Sequence, residues 1–162
     1  MALLSGCGYR FTADSGTRLQ AGATVWVAYF DNRTVHGNAS VTLKRALFEQ
    51  FEQQRGIPAA PSTERADLIV EGALKDYQTA AVSYSAADAV REYRLTIVVE
   101  ATVKKRGAAS GDRPLWKGTL TASQDYPVAT LLEMQRSSED AALLAASRKL
   151  AQQLIWQTEQ QY

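Results

Sequence analysis

Chemistry in this chain has few places to start. There is one cysteine, Cys7, and one histidine, His36, in 162 residues. One of each excludes an internal disulfide, a multi-histidine metal site and a two-cysteine zinc site within the chain. Cys7 ends the string Leu4-Ser5-Gly6-Cys7. An aliphatic residue, two small residues and a cysteine resemble a bacterial lipobox. There the sulfur accepts a diacylglycerol and the new N-terminus is acylated again, and several acyl chains hold a protein firmly to a bilayer. The alternative is an incidental free thiol. Gly8 follows the cysteine where an aspartate would signal retention at the inner membrane, so the expected address is the outer membrane. A full signal peptide also needs a positive start and an apolar stretch of about 7–15 residues. Only Met1 to Leu4 fits such a stretch, so the sequence reads as a shortened precursor that would not be exported as written.

His36 is the only base of its kind available to a triad. Serines and Asp31 are near it in sequence, but no G-x-S-x-G elbow occurs. Phosphate-cradling G-x-x-x-x-G-K-[ST] and G-x-G-x-x-G strings are also missing. A small hydrolase built on His36 is therefore the least favoured of the functional readings, and the chain is expected not to be an enzyme. No cofactor or metal is expected beyond N-acyl diacylglycerol on Cys7.

The basic residues say more. Arg91, Arg94, Lys104, Lys105, Arg106, Arg113 and Lys117 lie on or beside two late strands, and Arg136 precedes the last helix. Such groups bind phosphates through charge-assisted hydrogen bonds. Equally, strand ends carry cations to stay soluble and discourage edge pairing. Trp156 falls off the apolar stripe of its helix and is either an interface anchor or a lid over the helix end. Tyr77 and Tyr84, at the far end of a long strand, are candidate partner contacts.

These groups are positioned by a chain of ordinary globular make-up, 46% hydrophobic and 22% charged, enough for one core. The net charge is +1, which argues against a general nucleic-acid binder. No stretch of about 18 apolar residues occurs, so a membrane is met through the lipid anchor only. Residues 1–7 read as the remnant of signal peptide and lipobox, 8–23 as a polar, Gly-rich tether, and 24–162 as a single domain.

Thr24 to Phe30 is a dense β-branched and aromatic run that predicts a strand buried on both faces. Asp31 to Ser40 reads as a loop. Leu43, Ala46, Leu47 and Phe51 share a helical face, with Ser40 or Asn38 as cap and Gly56 as stop. Leu68 to Leu74 reads as a strand that can run on to Tyr84, with a turn at Ala86-Ala87-Asp88. Tyr93, Leu95, Ile97, Val99, Ala101 and Val103 alternate with Arg94, Thr96, Glu100 and Thr102. Leu115 to Tyr126 is a fourth strand. Ser137-x-x-Asp140 predicts the capping box of a last helix whose stripe runs from Leu143 to Ile155, interrupted by Ser147. The order β-α-β-β-β-α predicts an α/β (α+β) two-layer sandwich: a four-stranded mixed sheet with two helices on one face.

Taken together, Leu4-Ser5-Gly6-Cys7-Gly8-Tyr9-Arg10-Phe11, Phe30-Asp31-Asn32-Arg33-Thr34, Ala66-Asp67-Leu68-Ile69-Val70-Glu71-Gly72, Val82-Ser83-Tyr84, Val90-Arg91-Glu92-Tyr93-Arg94-Leu95-Thr96 and Leu115-Trp116 resemble, in order and spacing, the LPS-assembly lipoprotein family (LptE, also called RlpB). The resemblance implies an outer-membrane lipoprotein on the periplasmic face. It implies that the protein plugs the LptD β-barrel, helps that barrel assemble and takes part in placing lipopolysaccharide in the outer leaflet. It further implies that basic residues near the turn between the second and third strands, and just before the last helix, touch lipopolysaccharide. Arg91 and Arg136 lie close to those places; the match at the turn is inexact, since its tip Ala86-Ala87-Asp88 carries no Arg or Lys, and Arg136 is the better candidate. The other reading is an accessory lipoprotein of a different envelope secretion or assembly machine, because F-x-N-R-T after a strand also occurs there.

Overall fold

The computed structural model describes residues 19–20, 22–109 and 111–160. Its centre is a long antiparallel pair. The strand Leu68–Tyr84, here β3, pairs with Val90–Lys105, β4, from Leu68 opposite Lys105 to Tyr84 opposite Val90. Trp116–Pro127, β5, continues the sheet on the far side of β4, also antiparallel. On the other edge, β1 (Val25–Val27) and β2 (Asp31–Asn32) both run parallel to β3. The helices α1 (Ala39–Arg55) and α2 (Leu132–Gln160) pack on one face. The two-layer sandwich is as expected, with five strands instead of four.

The extra strand comes from a break in the first apolar run. Val27 stands opposite Val70 and Asp31 opposite Ala73, so the edge gains one residue on its partner. The strand cannot stay in register across Ala28 to Phe30, and it resumes as β2 where a loop was expected. Nor is the run buried on both faces. Val25, Val27 and Phe30 enter the core, whereas Tyr29 is 71% exposed at the sheet edge. The Lys44 ammonium lies 3.8 Å from the Tyr29 ring centre and 5.0 Å from that of Trp26, covering the edge with a cation–π contact.

The alternation in β4 and β5 is realised. Leu95, Ile97, Val99, Ala101 and Val103 are buried beneath the helices, as are Trp116, Leu120, Ala122 and Tyr126. The helix faces follow their 3.6-residue period: Leu43, Ala46, Leu47 and Phe51 on α1 meet Leu143, Leu150, Ala151, Leu154 and Ile155 on α2. Gly56 ends α1 in the left-handed region, at φ 61°, and its N–H donates to the Glu52 carbonyl. Asn38 is the N-terminal cap residue, but its side chain makes no cap hydrogen bond and donates instead to Asp140 Oδ1 at 3.0 Å.

The last helix starts at Leu132, ahead of the predicted cap. Ser137 therefore lies inside the helix, and Asp140 receives Asn38. The side chain of Gln135 reaches back to accept the Ala129 N–H at 2.7 Å, which steadies the entry into the helix. Its first turn shows no apolar periodicity because Leu131, Leu132 and Met134 are all exposed.

Two details are testable. A Cβ at Gly72 would collide with the Glu100 carbonyl of the paired strand and come within 2.7 Å of the Phe30 ring. Gly72→Ala should lower unfolding free energy by about 2–3 kcal/mol in urea titrations. Ser147 is fully buried, and its hydroxyl has no hydrogen-bond partner among the described residues. Ser147→Ala should stabilise the protein by about 1 kcal/mol, read as a higher melting temperature.

Candidate functional site

The sheet has two ends of different chemistry. The β3–β4 turn forms one, the hairpin end. Ser85 organises it: its side chain accepts the N–H groups of Ala87 and Ala89, and its own N–H donates to the Ala89 carbonyl. Asp88 takes φ 57°, a conformation an aspartate tolerates better than most residues. Arg91 follows, exposed, and its carbonyl accepts the Val128 N–H at 2.9 Å. The start of α2 is thereby brought to the same end. Arg136 stands one turn into α2, also exposed, and neither arginine forms an ion pair among the described residues. Around them Tyr84 is 58%, Leu131 62% and Leu132 64% exposed, and Val128 and Met134 also face out. The result is an apolar surface carrying two free guanidinium groups.

The other end, the tether end, is where the chain enters the fold. Leu19 is already buried in the core, so the tether read over 8–23 gives way to the body there. Lys105 and Arg106 leave β4 at this end, about 45 Å from Arg91 at the rise of an extended strand. One head group cannot touch both sets. The candidate cations are thus divided: Arg91, Arg94 and Arg136 toward one end, Lys104, Lys105 and Arg106 at the other.

Two of the six are already engaged. Arg94 clamps Asp125 across the β4–β5 pair, with Nε–Oδ1 at 2.6 Å and Nη2–Oδ2 at 2.8 Å. That guanidinium holds the Asp125 carboxyl below its ordinary range. Lys104 Nζ donates to Glu71 Oε1 at 2.7 Å.

The aromatic candidates also separate. Trp156 is 60% exposed on α2, so it stands open to a partner and does not fold over the helix end. Tyr84 is open as well. Tyr77 is half-buried and engaged inside the molecule: its ring stacks on His36 at 3.6 Å, and its hydroxyl donates to Glu139 Oε1 at 2.7 Å. Burial pushes the Tyr77 phenol well above its usual value, so it stays a donor. A bulge at Lys75 makes this possible. Leu74 faces Val99 and Asp76 faces Val98, so the side-chain alternation flips and Tyr77 joins Ile97 on the helix-covered face. Nothing in the sequence marked that bulge.

His36 therefore serves the fold. Its carbonyl accepts the Asn32 side-chain N–H at 2.8 Å, while Asn32 Oδ1 accepts the N–H and the hydroxyl of Thr34. The Phe30-Asp31-Asn32-Arg33-Thr34 string holds an Asx-type turn that shapes the loop after β2, and that loop reaches α2 through His36 on Tyr77 and Asn38 on Asp140. Among the described residues no group of His, Cys, Asp and Glu could hold a metal, and no helix is long and apolar enough to cross a membrane. Cys7 lies outside the described residues.

This arrangement defines a class: a two-layer α/β body with an open apolar and cationic end. Solved structures of that architecture include the uncharacterized lipoprotein B of Nitrosomonas europaea (18% identity, TM-score 0.53, covering 89% of this chain and 87% of that one). The rare lipoprotein B of Shewanella oneidensis (12%, 0.51, 83% and 92%) and the PelC dodecamer of Paraburkholderia phytofirmans (12%, 0.56, 88% and 91%) are also similar. At such identities the likeness is one of fold. A comparison with curated proteins finds no match. The family described as LptE, lipopolysaccharide-assembly, matches residues 22–158, and the chain belongs to that family. That family is the one of the LPS-assembly lipoproteins.

Tyr77→Phe should cost about 1 kcal/mol in chemical denaturation, because Glu139 then loses its donor. An unchanged urea midpoint would show that the hydroxyl contributes nothing.

Proposed function

We propose that the protein is an outer-membrane lipoprotein, held at the periplasmic face by acyl chains on Cys7. In this reading it assembles with the LptD β-barrel as its plug, helps place lipopolysaccharide in the outer leaflet and itself catalyses no reaction. The family match over residues 22–158 is the observation that carries this reading. The body suits the task. A barrel lumen is polar, so a plug can have the surface of an ordinary soluble domain.

Direct contact with lipopolysaccharide is assigned to the hairpin end. That ligand joins phosphates to acyl chains. Arg91 and Arg136 offer unpaired forks for phosphate, beside the exposed Tyr84, Val128, Leu131, Leu132 and Met134. Arg94, clamped on Asp125, is a weaker candidate. Trp156 and Tyr84 are the open aromatic groups assigned to barrel contact, a role for which buried aromatic anchors are well suited.

The test places a full signal peptide before Cys7 and expresses the protein with its host's barrel. A one-to-one complex extracted in detergent, with acylated Cys7 seen by mass spectrometry, is expected. A folded, lipidated protein that never retains the barrel would reject the plug. Arg91→Glu with Arg136→Glu should weaken lipopolysaccharide capture by about 10-fold or more while the complex still forms. Equal capture by the variant and the parent protein would remove the hairpin end from the ligand path.

A further inference from the structure

The hairpin end leaves the second basic cluster without a role. Lys105 and Arg106 at the end of β4, and Arg113 on the loop that follows, are exposed and make no ion pair among the described residues. They line two adjoining cavities that share Lys105 and Arg106. One, of about 470 Å³, has Gln20, Gly22, Ala23 and Asp67 in its wall, and the other holds Asp112 and Arg113. The acids of this surface are turned to the backbone. Asp67 Oδ2 accepts the N–H and the hydroxyl of Thr24, both at 2.9 Å, which hold its carboxyl below the ordinary range. Asp112 Oδ2 accepts the Ala109 N–H at 2.7 Å. Arg106 lies near Asp67 without forming an ion pair with it. The anionic groups are thus engaged by the fold, and the three cations face outward.

We propose that this end is a docking surface for an anionic phospholipid bilayer, with Lys105, Arg106 and Arg113 as its contact groups. The inference rests on the reading of Cys7 as acylated. Cys7 stands 12 residues before Leu19, where the chain is already buried. Fully extended, that stretch reaches about 40 Å, so a leaflet holding the acyl chains meets this end before the other. Each Lys or Arg brought to an anionic surface strengthens binding by about fivefold, and three give about 100-fold. The acyl chains anchor the protein, and the cations orient it. Docked this way, the free subunit carries Arg91 and Arg136 away from the leaflet before it meets its partner.

The experiment is co-sedimentation of the unacylated 162-residue chain with vesicles at low ionic strength. Phosphatidylcholine vesicles containing phosphatidylglycerol are compared with pure phosphatidylcholine. Strong preference for the anionic vesicles is expected. The variant Lys105→Gln, Arg106→Gln, Arg113→Gln should lose about 100-fold in partition, with its melting temperature unchanged because all three groups are exposed. Arg91→Gln with Arg136→Gln, at the opposite end of the sheet, should lose much less than this triple variant. Equal binding to both vesicles, or an equal loss in the hairpin-end variant, overturns the proposal. So does displacement by inorganic phosphate beyond that by chloride at matched ionic strength, which would mark an isolated phosphate site. Barrel capture and Cys7 acylation are read in separate experiments, so failure of the plug reading is distinguishable from failure here.

Discussion

The ladder between β3 and β4 runs from Leu68 opposite Lys105 to Tyr84 opposite Val90, and every other strand of the sheet pairs with one of its two members. Its length sets the distance between the hairpin end and the tether end. Its alternation decides which face the helices cover. Its three register shifts, at Lys75, at Val82 and between Ser83 and Tyr84, decide which aromatic groups stay inside and which stay open. Tyr77, flipped inward, becomes the contact through which the loop after β2 is held against α2. Tyr84, past the last of these shifts, remains at the surface.

The arrangement suits a body that works by its surface. Among the described residues, the buried hydroxyls of Ser40 and Thr158 turn to the backbone, Ser40 to the Phe30 carbonyl and Thr158 to the Leu154 carbonyl, and the half-buried ion pair of Arg55 with Glu159 joins the ends of the two helices. Arg148 and Arg45 both reach Glu49, tying α2 to α1 from outside and holding that carboxyl below its ordinary range. Exposed pairs of this kind contribute little each. The core of the sandwich does most of the stabilising, and this leaves both ends of the sheet free to carry apolar and cationic groups.

The family's strings acquire physical meanings. In Ala66-Asp67-Leu68-Ile69-Val70-Glu71-Gly72, Asp67 receives Thr24, Leu68 and Val70 enter the core, Glu71 holds Lys104, and Gly72 admits the close approach of the Glu100 carbonyl. Trp116 is buried against Gly118, where a Cβ would come within 2.7 Å of the indole. The histidine loop is an Asx turn. Each of these residues makes a contact of the fold, so recognising the strings spoke to the family and the fold more than to a site.

Local pattern determined much by itself. The period-2 run of β4 and the 3.6-residue stripes of α1 and α2 follow from side-chain polarity along the backbone, and Gly56 follows from the φ that a helix stop demands. The strand count, the true start of α2 and the inward turn of Tyr77 did not. Each depends on a one-residue slip or an exposed helical turn, and a slip leaves no trace in hydrophobic periodicity because the same residues can point either way. The cations show the same division. Their types and rough positions are plain in the sequence. Only the tertiary structure decided that Arg94 and Lys104 are neutralised by cross-strand partners, while the other four divide between opposite ends of one ladder. The reason is that pairing is set by distances between strands far apart in the chain.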